Sequence, residues 1–255
     1  MVDVIALDRS NIEDEHICCA FSDKKCAQGY QAKKDWLTQQ FEQGYHFDRL
    51  DARAKVFLEY GPAEQAWWPV EAPHALALNC FWVSGRYKQQ GYAKALLERA
   101  KAAAKAEGRD ALVTVAGQKK FHFMSDGRWL KRQGFVVVDQ TDDGFELLQL
   151  ALNDRAGESR FADCVQQKQG LAQQGLVVYY SHRCPFTDFH VNQELPATAA
   201  KRGLPLTIVH LNSLEKARSA PTPATIFSLF YQGKFITTDL SACMDSRFDK
   251  VTKIT

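Results

Sequence analysis

Several things are missing from this 255-residue chain, and each absence removes a class of protein. No stretch of about 18 apolar residues occurs, so no membrane span is expected. The first residues, MVDVIALDRSNIEDEH, are acidic and lack a basic segment followed by an apolar one, so no secretory leader is expected. A formal net charge of +2 gives no global field that would select nucleic acid or an anionic membrane. There is no G-x-x-x-x-G-K-[ST] phosphate loop and no dinucleotide G-x-G-x-x-G. No C-x-x-C pair is present, so no metal site is expected. The seven cysteines, Cys18, Cys19, Cys26, Cys80, Cys164, Cys184 and Cys243, are odd in number in a long chain. That argues against a disulfide framework and for a reducing, cytoplasmic setting.

What remains is the composition of a folded chain, 45% apolar and 24% charged, long enough for two modest domains. An apolar run, Phe145 to Leu152, is followed by the polar, aperiodic Asn153-Asp154-Arg155-Ala156-Gly157-Glu158-Ser159. This predicts a first domain over 1–152, a linker over 153–159 and a second domain over 160–255. Period-2 patterns predict strands near 2–7, 45–50, 54–60, 75–83, 111–116, 135–139 and 145–152. Period-3.6 patterns predict helices near 11–20, 31–43, 91–106 and 125–133. In the second domain the expected order is helix 160–169, strand 176–180, helix 185–202, strand 205–211, helix 213–217, strands 224–231 and 234–239, and helix 241–252. Both halves are α/β.

The stretch Ala75 to Ala106 carries the most chemistry. An apolar strand enters a short polar turn that opens directly into a helix at Gln89-Gln90-Gly91-Tyr92-Ala93. First-turn N–H groups have no intrahelical partner, and the helix dipole adds positive charge there. Small residues let an anion approach the backbone, and a pyrophosphate suits such a cradle. Arg86, Lys88 and Lys94 would add charge. Strand, turn and helix with one glycine also occur in ordinary crossovers, so the pattern alone leaves both readings open.

The run Lys88-Gln89-Gln90-Gly91-Tyr92-Ala93 resembles motif A of the GNAT N-acetyltransferases, Arg/Gln-x-x-Gly-x-Gly/Ala, with Lys88 in place of the usual Arg or Gln. CCAFSDKKC (18–26), KVFLEYGPAEQAWWPVE (55–71) and CPFTDFHV (184–191) resemble GNAT proteins of bacteria that carry a C-terminal YoaP-like domain. The resemblance implies a GNAT fold with a central mixed sheet, followed by a smaller thioredoxin-like domain. It implies acetyl-CoA as co-substrate, with its diphosphate on the N–H groups of Gln89, Gln90, Gly91, Tyr92, Ala93 and Lys94. The pantetheine arm would lie along Phe81, Trp82 and Val83. It implies transfer to the amine of a small molecule or amino acid, without metal, nucleic acid or membrane; a homodimer is compatible and not required. Many members place a tyrosine acid four residues before a late Gly-Phe pair. Here that position is Leu130, beside Trp129, so that role is not carried over. Glu59, Tyr60 and Cys80 remain as catalytic candidates, against ordinary readings as a solvated strand-end charge and an inert buried thiol.

Other features have plain readings. Cys18, Cys19 and Cys26 are expected to be buried. Of Trp67 and Trp68, one is expected in the core and one exposed or facing a pocket. His74 reads as a capping or surface residue, and 119–122 as a solvated loop within reach of the adenosine phosphate. In the second domain, Cys184-Pro185-Phe186-Thr187 after an apolar strand resembles the thioredoxin-like nucleophile position, with Arg183 and His182 lowering the thiol pKa. Thr187 stands where a resolving cysteine would be, and Pro223 stands for a cis-proline. This leaves two alternatives to acetyl transfer: monothiol exchange through Cys184, as in glutaredoxins, or an acyl-CoA-binding module without turnover.

Overall fold

The computed structural model describes residues 3–119, 121–171 and 174–254. Seven strands form the main sheet in the order β1 (Val4–Leu7), β2 (His46–Leu50), β3 (Val56–Pro62), β5 (Ala75–Val83), β6 (Ala111–Gly117), β8 (Phe145–Ala151), β7 (Val136–Gln140). All neighbours are antiparallel except β5 and β6, so the sheet is mixed. Helices α1 (Ala27–Phe41) and α2 (Tyr92–Ala106) cover opposite faces. Because side chains alternate along a strand, β3 divides its residues between them. Phe57 joins Trp36 and Leu37 of α1, whereas Val56, Leu58 and Tyr60 join Leu96, Leu97 and Ala100 of α2. The short α3 (Gly127–Arg132) seals the α2 face with Leu130.

Two irregularities shape the sheet centre. β5 and β6 pair only at Ala75–Ala77 with Ala111–Val113, then diverge; Thr114 Oγ1 still donates to the Leu78 carbonyl at 3.0 Å. β5 also bulges. Leu58 pairs with Phe81 and Tyr60 with Leu78, so Asn79 and Cys80 together oppose Glu59. A bulge of this kind bends the strand and re-aims its side chains.

After 152 the chain returns to the sheet before starting anew. β9 (Arg160–Phe161) pairs with β4 (Val70–Glu71), and α4 (Asp163–Gln166) buries Val165 in the same cluster as Phe145 and Leu147. A second sheet follows in the order β11 (Leu206–His210), β10 (Leu176–Tyr180), β12 (Phe227–Tyr231), β13 (Lys234–Thr237). β10 and β11 are parallel and the other neighbours antiparallel. Between β10 and β11 run α5 (Thr187–Phe189), a π turn at His190–Glu194 and α6 (Leu195–Lys201). α7 (Leu214–Arg218) and α8 (Asp245–Thr252) complete this part. Phe230, Val177 and Tyr179 of the second sheet share one buried cluster with Trp36 and Phe57 of the first part.

Two expectations change. The helix expected over 11–20 is a series of turns, because Cys18 and Ala20 take left-handed backbone (φ 63° and 53°) that no helix accommodates. The helix expected over 160–169 is a two-residue strand and a four-residue helix. Trp67 and Trp68 follow the expectation of one core and one pocket-facing ring: Trp67 packs with α1, and Trp68, also buried, lines a cleft beside the cluster that includes Ala224. Val2, at the start of the first expected strand, and Lys120, in the 119–122 loop, lie outside the described residues.

Candidate active site

A cavity of about 130 Å³ (the volume open to the centres of water-sized spheres) lies where β3, the β5 bulge, the turns at 17–19 and the 183–186 loop meet. Its walls are mainly apolar, from Phe57, Phe81, Trp82, Phe186 and Ile226, with Glu59, Lys33, Lys55 and Arg183 as the charged groups. A second cleft, at the divergence of β5 and β6, shares Phe123, Met124, Arg183 and Ile226 with it.

Glu59 is 3% exposed and Lys33 2%, so the expectation of a solvated strand-end carboxylate is overturned. Both bonds that Glu59 accepts fall on Oε2, from Lys33 Nζ at 2.6 Å and from the Tyr45 hydroxyl at 2.8 Å. Lys33 also lies over the Trp36 ring. A buried ion pair of this kind is held only by good geometry and added hydrogen bonds, which Tyr45 supplies. Tyr60, one residue on, faces the other side of the sheet. Its hydroxyl donates to Asp48 Oδ2 at 3.0 Å, and Arg99 bonds both oxygens of that carboxylate. Burial and the nearby Asp48 charge push the Tyr60 phenol far up.

Three thiols line the cavity: Cys19, Cys80 and Cys184. Burial pushes the Cys19 and Cys184 thiols up to about 12, and Cys80 well above its ordinary value. The expected acidification of Cys184 is thereby overturned, for two reasons. The thiol is buried, and the neighbouring cation is turned away. Arg183 donates to Asn79 Oδ1 (2.7 Å), Thr225 Oγ1 (3.0 Å) and the Trp67 carbonyl (3.2 Å). His182 faces Asp188 and the His210 ring instead. Thr187 donates to the carbonyls of Ser181 and Cys184, closing the turn in front of α5. No peptide among the described residues is cis, so Pro223 is trans; it lines the second cleft.

The turn before α2 is exposed, and its cap is Gly91 at φ +83°, with no side chain capping the helix. A Cβ built on Gly91 would meet nothing within 4 Å. Lys88, Gln89, Gln90 and Lys94 are exposed or half-exposed beside it. The corner is therefore open, and its backbone N–H groups have room for an anion. Phe81, Trp82 and Val83 pair with β3 on one side, while β6 has turned away on the other. Trp129 packs edge-on against Phe81, and Leu130, in the position where a tyrosine acid is common, is fully buried in the core.

Local sequence carries no signal for Cys19, Lys33, Lys55, Tyr45 or Asn79 as members of one site. They are brought together by the bulge, by left-handed turns and by contacts across more than 100 residues. Among the described residues no cluster of His, Cys, Asp and Glu is arranged to hold a metal ion, and no helix is long and apolar enough to cross a membrane.

An open helix N-terminus at Gly91, a parted strand pair and an apolar chamber with a buried carboxylate make up the candidate site. Comparison with known proteins gives it a family. Residues 11–135 match the acetyltransferase (GNAT) family, and residues 205–250 match the YoaP-like family. The N-acetyltransferase YoaP of Bacillus subtilis (strain 168), itself uncharacterised, is 38% identical over 247 residues, 97% of both chains. The chain belongs to the GNAT N-acetyltransferase family and is an acetyltransferase with a YoaP-like C-terminal region. Among solved structures, the PaiA N-acetyltransferase of Thermoplasma acidophilum in complex with coenzyme A is similar at 13% identity. It covers 59% of this chain and 99% of its own, with a TM-score of 0.41. Ard1 of Thermoplasma volcanium is similar at 12% identity, covering 60% and 98%, with a TM-score of 0.41.

Proposed function

We propose that the protein moves the acetyl group of acetyl-CoA to the amine of a small molecule or amino acid by direct attack. The observation that carries this reading is the open corner at Gly91, together with the stretch Phe81–Val83, which β6 leaves unpaired on one side and whose Phe81 and Trp82 line the chamber with Glu59. The diphosphate rests on the N–H groups of Gln89 to Lys94, with Lys88 and Lys94 adding charge. The pantetheine arm runs along Phe81–Val83 as an added strand.

The acceptor nitrogen attacks the thioester carbonyl carbon. A new C–N bond forms, the C–S bond breaks, and the nitrogen proton must leave while the sulfur gains one. Glu59 is the base of this scheme. The oxygen that neither Lys33 nor Tyr45 occupies, Oε1, takes the proton directly or through water. A backbone N–H near Phe81–Val83 serves the oxyanion. Much of the rate comes from holding amine and thioester together in the apolar chamber. Cys80 and Cys184 act as neutral walls, since their raised pKa values keep thiolate scarce at neutral pH.

We read residues 1–152 as the transferase unit and 160–255 as a thioredoxin-like unit. The second reading is supported by the strand order β11-β10-β12-β13, with one parallel and two antiparallel pairs and a cysteine between strand and helix. Its segment 183–186 closes the acceptor chamber. The test is release of CoA thiol from acetyl-CoA in the presence of a panel of amines and amino acids. Acceptor-dependent release supports the scheme; an absence of release with every amine contradicts it.

A further inference from the structure

The charges around the chamber do not cancel. Lys33 and Glu59 form a pair, which leaves Lys55 and Arg183. Arg183 is 6% exposed, and its hydrogen bonds go to an amide oxygen, a hydroxyl and a carbonyl, all neutral. Among the described residues no carboxylate lies within ion-pair distance of it; Glu59, in the same chamber, is paired with Lys33. Lys55 stands at the mouth over the Phe186 ring, 5.5 Å from its centre, again with no carboxylate partner among the described residues. A buried cation without a counter-ion is costly. Arg183 is such a cation, and with the half-buried Lys55 it gives the small apolar chamber an excess of positive charge matched to an anionic guest, an attraction that low-dielectric surroundings strengthen. The remaining walls are aromatic and aliphatic, and the volume suits a compact body.

We propose that the acceptor is an amine bearing a carboxylate on a short apolar or aromatic body, as in an apolar amino acid, and that Lys55 and Arg183 bind that carboxylate. This rests on the acetyl-transfer reading above and narrows it. The acceptor spans the chamber with its nitrogen toward Glu59 and its carboxylate toward the two cations. Arg183 comes from the second part of the chain, upstream of the residues that match the YoaP-like family, so that part supplies acceptor specificity to the transferase part.

The test compares matched acceptors: phenylalanine, leucine and methionine against their primary amides and their decarboxylated amines. Each is measured for kcat/KM with the full chain and acetyl-CoA. The expected result is a preference for the acid of about tenfold or more, as for one good charge contact. That preference should collapse to within about threefold in Lys55→Gln through a rise in KM, and return in Lys55→Arg. Lys55 is half-buried at the mouth, so its variants should fold even where Arg183→Gln does not. Equal or better use of amides and amines by the wild type would overturn this inference while leaving acetyl transfer standing. Retention of the full preference in Lys55→Gln would overturn it in the same way. Absence of CoA release with every acceptor would overturn both.

Discussion

Lys33 Nζ donates to Glu59 Oε2 at 2.6 Å, and both side chains are almost wholly withdrawn from water. This pair ties α1, a long helix on that face, to the sheet strand β3. It also holds the carboxylate that the proposed mechanism uses. A buried pair can serve the fold, the chemistry or both, and a mutant cycle separates these roles.

Removing one partner leaves a buried charge uncompensated, which typically costs about 3–5 kcal/mol, whereas an apolar pair of similar size is often neutral or stabilising. Lys33→Met and Glu59→Leu alone should each lower the urea midpoint sharply. The double variant should recover most of the loss. If Glu59 is the base, the recovered double variant stays inactive despite its fold, with a drop of about 10²-fold or more. A folded double variant with normal turnover would remove Glu59 from the mechanism.

The thiols give a second prediction. Cys18, Cys19 and Cys184 are pushed up to about 12 and Cys26 to about 11, each chiefly by burial. With an ordinary thiol pKa near about 8.5, a value of about 12 cuts the thiolate fraction at pH 7.5 by roughly three orders of magnitude. Alkylation of Cys184 by iodoacetamide, followed by mass spectrometry, should be very slow at that pH and should climb with pH without a plateau below about 11. The folded thiols hold protons that the unfolded chain gives up above about pH 8.5. Stability therefore falls as pH rises from there toward about 12. Rapid neutral-pH labelling of Cys184 would revive thiol exchange through that residue.

A third prediction concerns the seam between the two parts. Gly29 on α1 sits so close to the 184–188 segment that a Cβ there would lie 2.2 Å from the Pro185 carbonyl oxygen. That neighbour is backbone and cannot swing aside. Gly29→Ala should therefore cost about 1–3 kcal/mol, a fall of roughly 5 °C in Tm for a chain of this size. Because the displaced loop walls the chamber, acceptor KM should rise while acetyl-CoA affinity stays near the wild-type value. An unchanged Tm would mean the two parts do not meet there.

Much of the scaffold is legible locally. β5 and β10 occupy the residues the pattern predicts, 75–83 and 176–180, and α2 begins one residue after its expected start. These elements have strong periodicity and clear stops. The turns at 11–20 mimic a helix in their apolar spacing, while Cys18 and Ala20 take positive φ, a choice imposed by packing. The site is legible only in parts. Gly91 announces itself through small residues after a strand. The burial of Glu59 does not, because Lys33 and Tyr45, which satisfy it, come from other elements. Arg183 reads locally as an activator of the next residue, yet its partners lie more than 100 residues upstream and 42 downstream. Such long-range pairings leave no trace in local spacing.

Acetyl transfer by this chain stands on the open helix corner, and isothermal titration of acetyl-CoA into wild type and Gly91→Glu tests it most directly. Gly91 has left-handed backbone and open space around its Cα. A side chain there costs the fold only about 1–2 kcal/mol, but a carboxylate occupies and repels the diphosphate position. Saturable binding by wild type, weakened at least about tenfold in a folded Gly91→Glu, is the predicted result. No heat of binding with wild type, or equal affinity in the two proteins, would contradict it.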